Sequence, residues 1–491
     1  MKFRVRLLRL SSGGPLIAAL NPEDAQVLDL HPLDRIKVLY DHSVETVVID
    51  SGAEIPRGSI GLFEEVAHAL GLREGQEVEV KLARKPLSID LIKKKLDGQH
   101  LSKQELSQVV WDIVHNKLSD IELTFFVAAS YAHHNTLNET VWLTEAMVEQ
   151  GQRLRLRKKI ILDKHCIGGI PGNRTTPIVV PILAAAGYCM PKTSSRAITS
   201  PAGTADTVEV LAPVTLPLER MRHIVEQANA CMVWGGALNL APADDKIISV
   251  EKSLMIDAES QLLASILAKK YSVCATHVVI DIPIGPSTKI TSRRRALDLS
   301  RKFKDIGRRL GMRVKVALTD GRQPIGNGVG PALEARDVLK VLRQDRDRPM
   351  DLEKKALLLA GELFSLVGEK DGLMKAQELL RSGQAYAKLK QIIKLQGGNP
   401  SILPEHIPLA RKRYVVKALR PGTVNHIDNL LIAKLARIAG APKNKGAGVY
   451  LHKHLGDKVK VGEALMTVYC DSQDRMEYVE QITKEMQPLR W

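Results

Sequence analysis

Aromatic residues are scarce, 4% of 491 positions, and proteins that grip single-stranded nucleic acid do so largely with stacking rings set among basic groups. That scarcity argues against nucleic acid as a partner, although Lys and Arg outnumber Asp and Glu by 71 to 55 and leave a formal charge of +16. The same excess draws in small phosphorylated substrates. Only five cysteines occur, Cys166, Cys189, Cys231, Cys274 and Cys470, scattered without a CxxC pair. This disfavours a zinc cluster and a secreted disulfide framework, and no metal is expected. No apolar run approaches the roughly 20 residues that span a bilayer, and Met1–Leu10 lacks the apolar segment of a signal peptide. A cytoplasmic protein without a membrane partner is expected.

What is present is ordinary globular material: 44% hydrophobic and 26% charged residues, in a length that accommodates about three domains. Leu28 to Val38 repeats the apolar spacing of Leu70 to Val80, each copy following a helical stretch, Pro22–Val27 and Phe63–Ala69. Two such helix-turn-strand units predict a small pseudo-symmetric β-barrel over residues 1–84, serving structure or assembly. From 85 to 155 apolar residues recur at helical spacing, with capping boxes at Ser102/Glu105 and Ser119/Glu122. After Lys159, β-branched runs such as Val278–Ile282 and Val314–Leu318 alternate with helical segments, which predicts a parallel sheet covered by helices. The expected class is therefore multi-domain α/β and α+β: barrel, helical domain, central α/β phosphate-binding domain (156–241 and 273–345), and a C-terminal α+β domain (346–491).

Three segments concentrate chemistry. Asp163 to Thr176 follows a strand and precedes an apolar helix; Gly168, Gly169 and Gly172 let backbone amides approach an anion, while Lys164 and Arg174 add charge. No GK[ST] closes this loop, so nucleoside triphosphate hydrolysis is disfavoured. Lys192 to Thr207 packs hydroxyls, Arg196 and Gly203 between apolar segments. Ser265 and Lys269, four apart, share a helix face. Each segment alone is also compatible with an ordinary loop or helix surface.

Together, Asp163-Lys164-His165 with Gly168-Gly169, the Ser194 to Thr204 loop, Ser265 to Lys270, and Leu318 to Asn327 resemble, in order, the thymidine and pyrimidine nucleoside phosphorylases. The stretches Ser195 to Asp206 and Asn239 to Asp245, with the N-terminal extension, are similar to the branch holding archaeal AMP phosphorylases and the type 2 thymidine phosphorylases of bacteria. The resemblance implies that a helical insertion at 242–272 joins the 85–155 domain and faces the α/β domain across a cleft. It also implies a homodimer or larger homo-oligomer with no cofactor.

The implied reaction is phosphorolysis of an N-glycosidic bond: thymidine and inorganic phosphate giving thymine and 2-deoxyribose 1-phosphate. A nucleoside monophosphate such as AMP, giving free base and ribose 1,5-bisphosphate, is the alternative. By the same resemblance Lys164, Thr176, Ser194 and Thr204 hold phosphate. Gly169, Ser195, Arg196, Ala197, Ile198, Thr199, Ser200, Thr204, Ser265, Lys269 and Lys289 bind the nucleoside or nucleotide, so Thr204 is claimed twice. Asp257 is the expected proton donor to the departing base, with His165 the other catalytic candidate. Two positions depart from the thymidine enzymes: Cys166 replaces a serine, and Val250 stands where an arginine would meet a pyrimidine carbonyl. Among other classes, a phosphoribosyltransferase would need a carboxylate set for a metal that the sequence does not display. An RNA-binding protein would use the basic runs Lys93–Lys95 and Arg293–Arg295, which fit solvated helix faces equally well.

Overall fold

The computed structural model describes residues 1–491 except 42, 198–199 and 255–257. Alternating charge and hydrophobe in Lys2–Leu7 (β1) and Glu77–Leu82 (β6) sends every second side chain inward. With Ile17–Leu20 (β2), Arg35–Tyr40 (β3), Ser43–Ser51 (β4) and Ser59–Leu62 (β5) they close a barrel in the order β1-β5-β2-β4-β3-β6. β3 and β6 come from the two copies of the repeat and pair antiparallel, with Val38 opposite its own counterpart Val80. The internal symmetry thus passes through that pair, and the interior is the aliphatic set Val5, Leu20, Ile36, Val38, Ile60, Val78 and Val80.

The chain divides into two compact units, residues 1–151 with 241–268, and 152–240 with 269–491. In the first, the barrel is accompanied by helices Ser88–Leu96, Lys103–Val114, Asp120–Ala132, Leu137–Glu149 and Pro242–Leu254. Both expected capping boxes form, and a third forms at Thr136 with Glu139. Glu139 also takes the buried Lys95 ammonium at 2.9 Å, a partner that a local capping pattern does not reveal. Arg35 of β3 reaches the Glu122 carboxylate and the Lys117 carbonyl, tying barrel to helices.

In the second unit Leu162–Cys166 (β7), Met190–Ser194 (β8), Ala230–Trp234 (β9), His277–Ile284 (β10) and Arg313–Asp320 (β11) run parallel, as β11-β10-β7 and β8-β9. A bridge between Ile161 and Cys189, with Leu162 N–H donating to Cys189 O at 2.8 Å, sets β7 beside β8. Helix Thr176–Ala185 is apolar on every side because it is buried on every side. It shares one core with helices Met350–Leu366, Gly372–Arg381 and Gln384–Gln396, so the sheet's core continues past the expected boundary at 346. A separate core begins near Lys412, where strands Gly328–Val329, Gly448–Leu451, Ala464–Cys470 and Lys412–Lys417 lie side by side in that order with helices Asn429–Ile438 and Gln473–Met486. No helix among the described residues is long and apolar enough to cross a membrane.

Candidate active site

Parallel sheets present their ligands at the carboxyl ends of the strands, where the loops toward the following helices open. β7 brings charge there although it is an interior strand. Its register against β10 places Asp163 opposite Val278, Lys164 opposite Val279 and Cys166 opposite Asp281. Strand alternation then sends Asp163 and His165 to one face, and Lys164 and Cys166 to the other. A buried charge must be paired, and each face supplies its own partners.

On the first face the Asp163 carboxylate lies 2.9 Å from both the Lys192 and the Lys270 ammonium groups, all three buried. Burial alone would raise this carboxyl; the two lysines hold it below its ordinary value. Burial lowers the Lys270 ammonium, against the pull of Asp163. His165, half-buried at the end of β7, is pushed well below the ordinary imidazole value by burial and then by Lys270, Lys192, Lys269 and Lys164.

On the second face Lys164 Nζ donates to the hydroxyls of Thr175 at 2.6 Å and Thr176 at 3.1 Å, where helix Thr176–Ala185 begins. An ammonium, two hydroxyls and a helix N-terminus converge there, the ingredients of an anion site. Burial brings Lys164 down to about 8, while Cys166 and Asp281 act to raise it and Lys355 and Lys192 to lower it. Beside it the Cys166 thiol, pushed up to about 11 by burial, accepts from Asn173 Nδ2 at 3.2 Å. Asp281 receives Thr319 Oγ1 at 2.6 Å and Lys355 Nζ at 3.1 Å.

The loop from Cys166 to Thr176 is held by close backbone approach. Gly169 has φ +96°, and a Cβ there would stand 2.8 Å from Lys289 N and 2.9 Å from Thr288 Cα. Gly172, at φ +72°, rests on the 325–328 turn, 2.8 Å from Gly328 O by the same measure. Arg174, expected to add charge to the cradle, turns away instead. It pairs with the fully buried Glu334 at 2.5 Å and bonds Thr207 and the Ala202 carbonyl. Glu334 would otherwise be an uncompensated buried carboxylate, so the arginine is drawn to it.

β8 delivers the second loop at the same edge of the sheet. Asp206 cinches it, accepting from Ala197 N at 2.7 Å and Gly203 N at 2.8 Å. Arg196 is engaged by Glu209 at 2.6 Å and Asp206 at 3.2 Å, and its guanidinium lies 4.8 Å from the Trp234 ring centre. Ser195 and Ser200 are exposed, and Thr204 opens the short helix Thr204–Val208. The Ser194 hydroxyl is buried without a hydrogen-bond partner among the described residues. Ile198, Thr199 and Asp257 lie outside the described residues. Ser265 belongs to the first unit; Lys269, on the same helix Glu259–Tyr271, belongs to the second. Val250 is a buried residue of helix Pro242–Leu254.

No motif marks Asp281 or Lys355, and Asp163, Lys192 and Lys270 stand within the singled-out segments without a role of their own. The signal was available: a carboxylate inside an apolar β-run, as at Asp163 and Asp281, demands buried cations. Among the described residues no three His, Cys, Asp or Glu side chains assemble as a metal site.

Three family descriptions match the chain: the helical bundle domain of a glycosyl transferase family over residues 89–151, the a/b domain of a glycosyl transferase family over 158–275, and the pyrimidine nucleoside phosphorylase C-terminal domain over 423–488. An AMP phosphorylase from Thermofilum pendens is 47% identical over 489 residues, covering 100% of this chain and 95% of that protein. One from Pyrococcus furiosus is 44% identical, covering 100% and 98%. A protein of Legionella pneumophila (strain Paris) named "Putative thymidine phosphorylase" is 44% identical, covering 91% and 86%. The anthranilate phosphoribosyltransferase of Thermus thermophilus superposes with a TM-score of 0.53 at 21% identity, over 62% of this chain and 99% of that one, a likeness of fold alone. Matched from end to end by such relatives, the chain is an enzyme that belongs to the phosphorylase family of pentosyltransferases.

Proposed function

We propose that the protein cleaves the N-glycosidic bond of a nucleoside 5′-monophosphate, AMP being the first to test, with inorganic phosphate as the attacking group. The observation that carries the reading is the anion site at Lys164, Thr175 and Thr176 on the opening turn of a helix. Phosphate held there attacks C1′ of the sugar as the base departs, and the Ser194 and Thr204 hydroxyls are the further ligands. Positive charge grows on the sugar and negative charge on the base, so the base needs a proton. The resemblance assigns that protonation to Asp257, with His165, whose imidazole is pushed down by burial and then by four ammonium groups, the other candidate.

Two features favour the monophosphate. Gly169 lies against the backbone at Lys289, an exposed lysine whose charge suits a 5′-phosphate. Val250 offers no donor to a pyrimidine carbonyl. The AMP phosphorylases also match the whole chain, N-terminal barrel included. Thymidine is the second reading, favoured by the Legionella pneumophila relative. Incubation of the protein with phosphate and a panel of nucleosides and 5′-monophosphates, reading free base and sugar phosphate, tests both. Higher kcat/KM for a monophosphate than for its nucleoside is expected. Thymidine or uridine outperforming every monophosphate would reverse the order, and no phosphate-dependent release from either class would sink the phosphorylase assignment at this site.

A further inference from the structure

Lys164 and Asp281 stand on neighbouring strands, on the same face of the sheet, both buried, yet they do not pair. Lys164 spends its hydrogen bonds on Thr175 and Thr176. In a low-dielectric interior opposite charges so placed attract strongly, so something must hold the carboxylate. Lys355 does, entering from helix Met350–Leu366 with its ammonium 3.1 Å from Asp281 Oδ2 and 7% exposed. Thr319 secures the other oxygen at 2.6 Å, and Asn173 Nδ2 stands 3.5 Å from Oδ2. Beyond that ion pair the Lys355 ammonium has no hydrogen-bond partner among the described residues, and nothing in the reaction assigned above calls on it.

We propose that Lys355 is a positioning residue of the phosphate site: by holding the Asp281 carboxylate it leaves the Lys164 ammonium to phosphate. The inference rests on Lys164 binding phosphate. Without Lys355, Asp281 becomes the counter-ion of Lys164 and competes with the substrate anion for it. A second negative group in the same buried space also repels phosphate directly. Lys355 thus acts on phosphate through Asp281 and touches neither reactant.

A double-mutant cycle separates this from a direct or merely structural role. Steady-state KM for phosphate and for the nucleoside or nucleotide would be measured in the wild type, Lys355→Met, Asp281→Asn, the double variant and Lys355→Arg, with folding checked by thermal melting. Lys355→Met should raise the phosphate KM by about tenfold or more, the scale of a lost charged contact, with the other KM near wild type. Removing the competing carboxylate in the double variant should return the phosphate KM to within roughly threefold of wild type, and Lys355→Arg should stay near it. An unchanged phosphate KM in Lys355→Met, or no recovery in the double variant, overturns the inference. Should Lys355→Met fail to fold, Asp281→Asn alone decides: a phosphate KM at or below wild type is expected, and a rise of about tenfold refutes it. If Lys164→Ala leaves phosphate KM unchanged, the phosphate reading itself has failed; a raised KM there beside an unchanged one in Lys355→Met overturns only the role of Lys355.

Discussion

Gly169 lies so close to the backbone at Lys289 that a single added methyl would stand 2.8 Å from its amide nitrogen. The Cys166 to Thr176 loop and the turn after β10 are therefore locked together through a residue without a side chain, which also holds φ at +96°. Gly169→Ala carries two costs, the unfavourable dihedral at about 1 kcal/mol and the displaced turn. Activity on a 5′-monophosphate should fall by roughly tenfold or more in kcat/KM, while melting drops only modestly. Parallel assays with nucleoside and nucleotide check it: an equal loss on both would detach the turn from 5′-phosphate recognition.

Lys164→Ala removes the ammonium at the helix opening. A charged hydrogen bond lost from such a place costs on the order of 1.5–3 kcal/mol, so phosphate KM should rise about ten- to a hundredfold in a protein that still folds. Steady-state titration with phosphate measures it.

The same lysine predicts a pH dependence. Burial brings it to about 8, so in the free enzyme its charge is present at neutral pH and disappears as pH climbs through that value. kcat/KM for phosphate should decline on the alkaline side with a midpoint near 8, and this limb should be missing from the residual activity of Lys164→Ala. A wild-type profile that stays flat to about pH 9.5, well past the expected midpoint, would refute the assignment.

Asp163 should matter for folding more than for binding. Asp163→Asn leaves two buried ammonium groups sharing no carboxylate, a loss of about 3–5 kcal/mol. Because the native carboxyl sits below its ordinary value of 3.8, its stabilisation is present above that value and is lost as pH falls through the lower native one. Melting followed downward from neutral pH should show a steep acid loss in the wild type and a shallower one in Asp163→Asn.

Asp337 should behave in the opposite sense. Burial lifts it to about 7 even though the amides of Asn327 and Gly328 donate to it. Its contribution is complete below the ordinary value and is lost as pH rises through about 7. Asp337→Asn should melt near the wild type at about pH 4 and above it at about pH 8. The turn it braces supports Gly172, so a changed phosphate KM in this variant would tie that brace to the site.

Local and repetitive features were legible in the amino-acid order. Ser102 with Glu105 and Ser119 with Glu122 made their caps because a capping box is complete within four residues. The barrel was readable because each copy of its repeat carries its own apolar spacing, and Val38 meets Val80 as that symmetry requires. Gly168, Gly169 and Gly172 declared themselves by position between a strand and a helix, and the resemblance of the motifs to phosphorylases named the chemistry. What the order of residues left open was where each charge would go. Arg174 read as added charge for the glycine-rich loop, whereas it pairs with Glu334, and Lys355 carried no sign of Asp281. Those pairings depend on which helices lie over which face of the sheet, and strand alternation assigns Asp163 and Lys164, adjacent in sequence, to opposite faces. A buried charge takes whatever counter-charge the packing brings within reach, so only the tertiary structure decided which carboxylate each buried lysine and arginine meets.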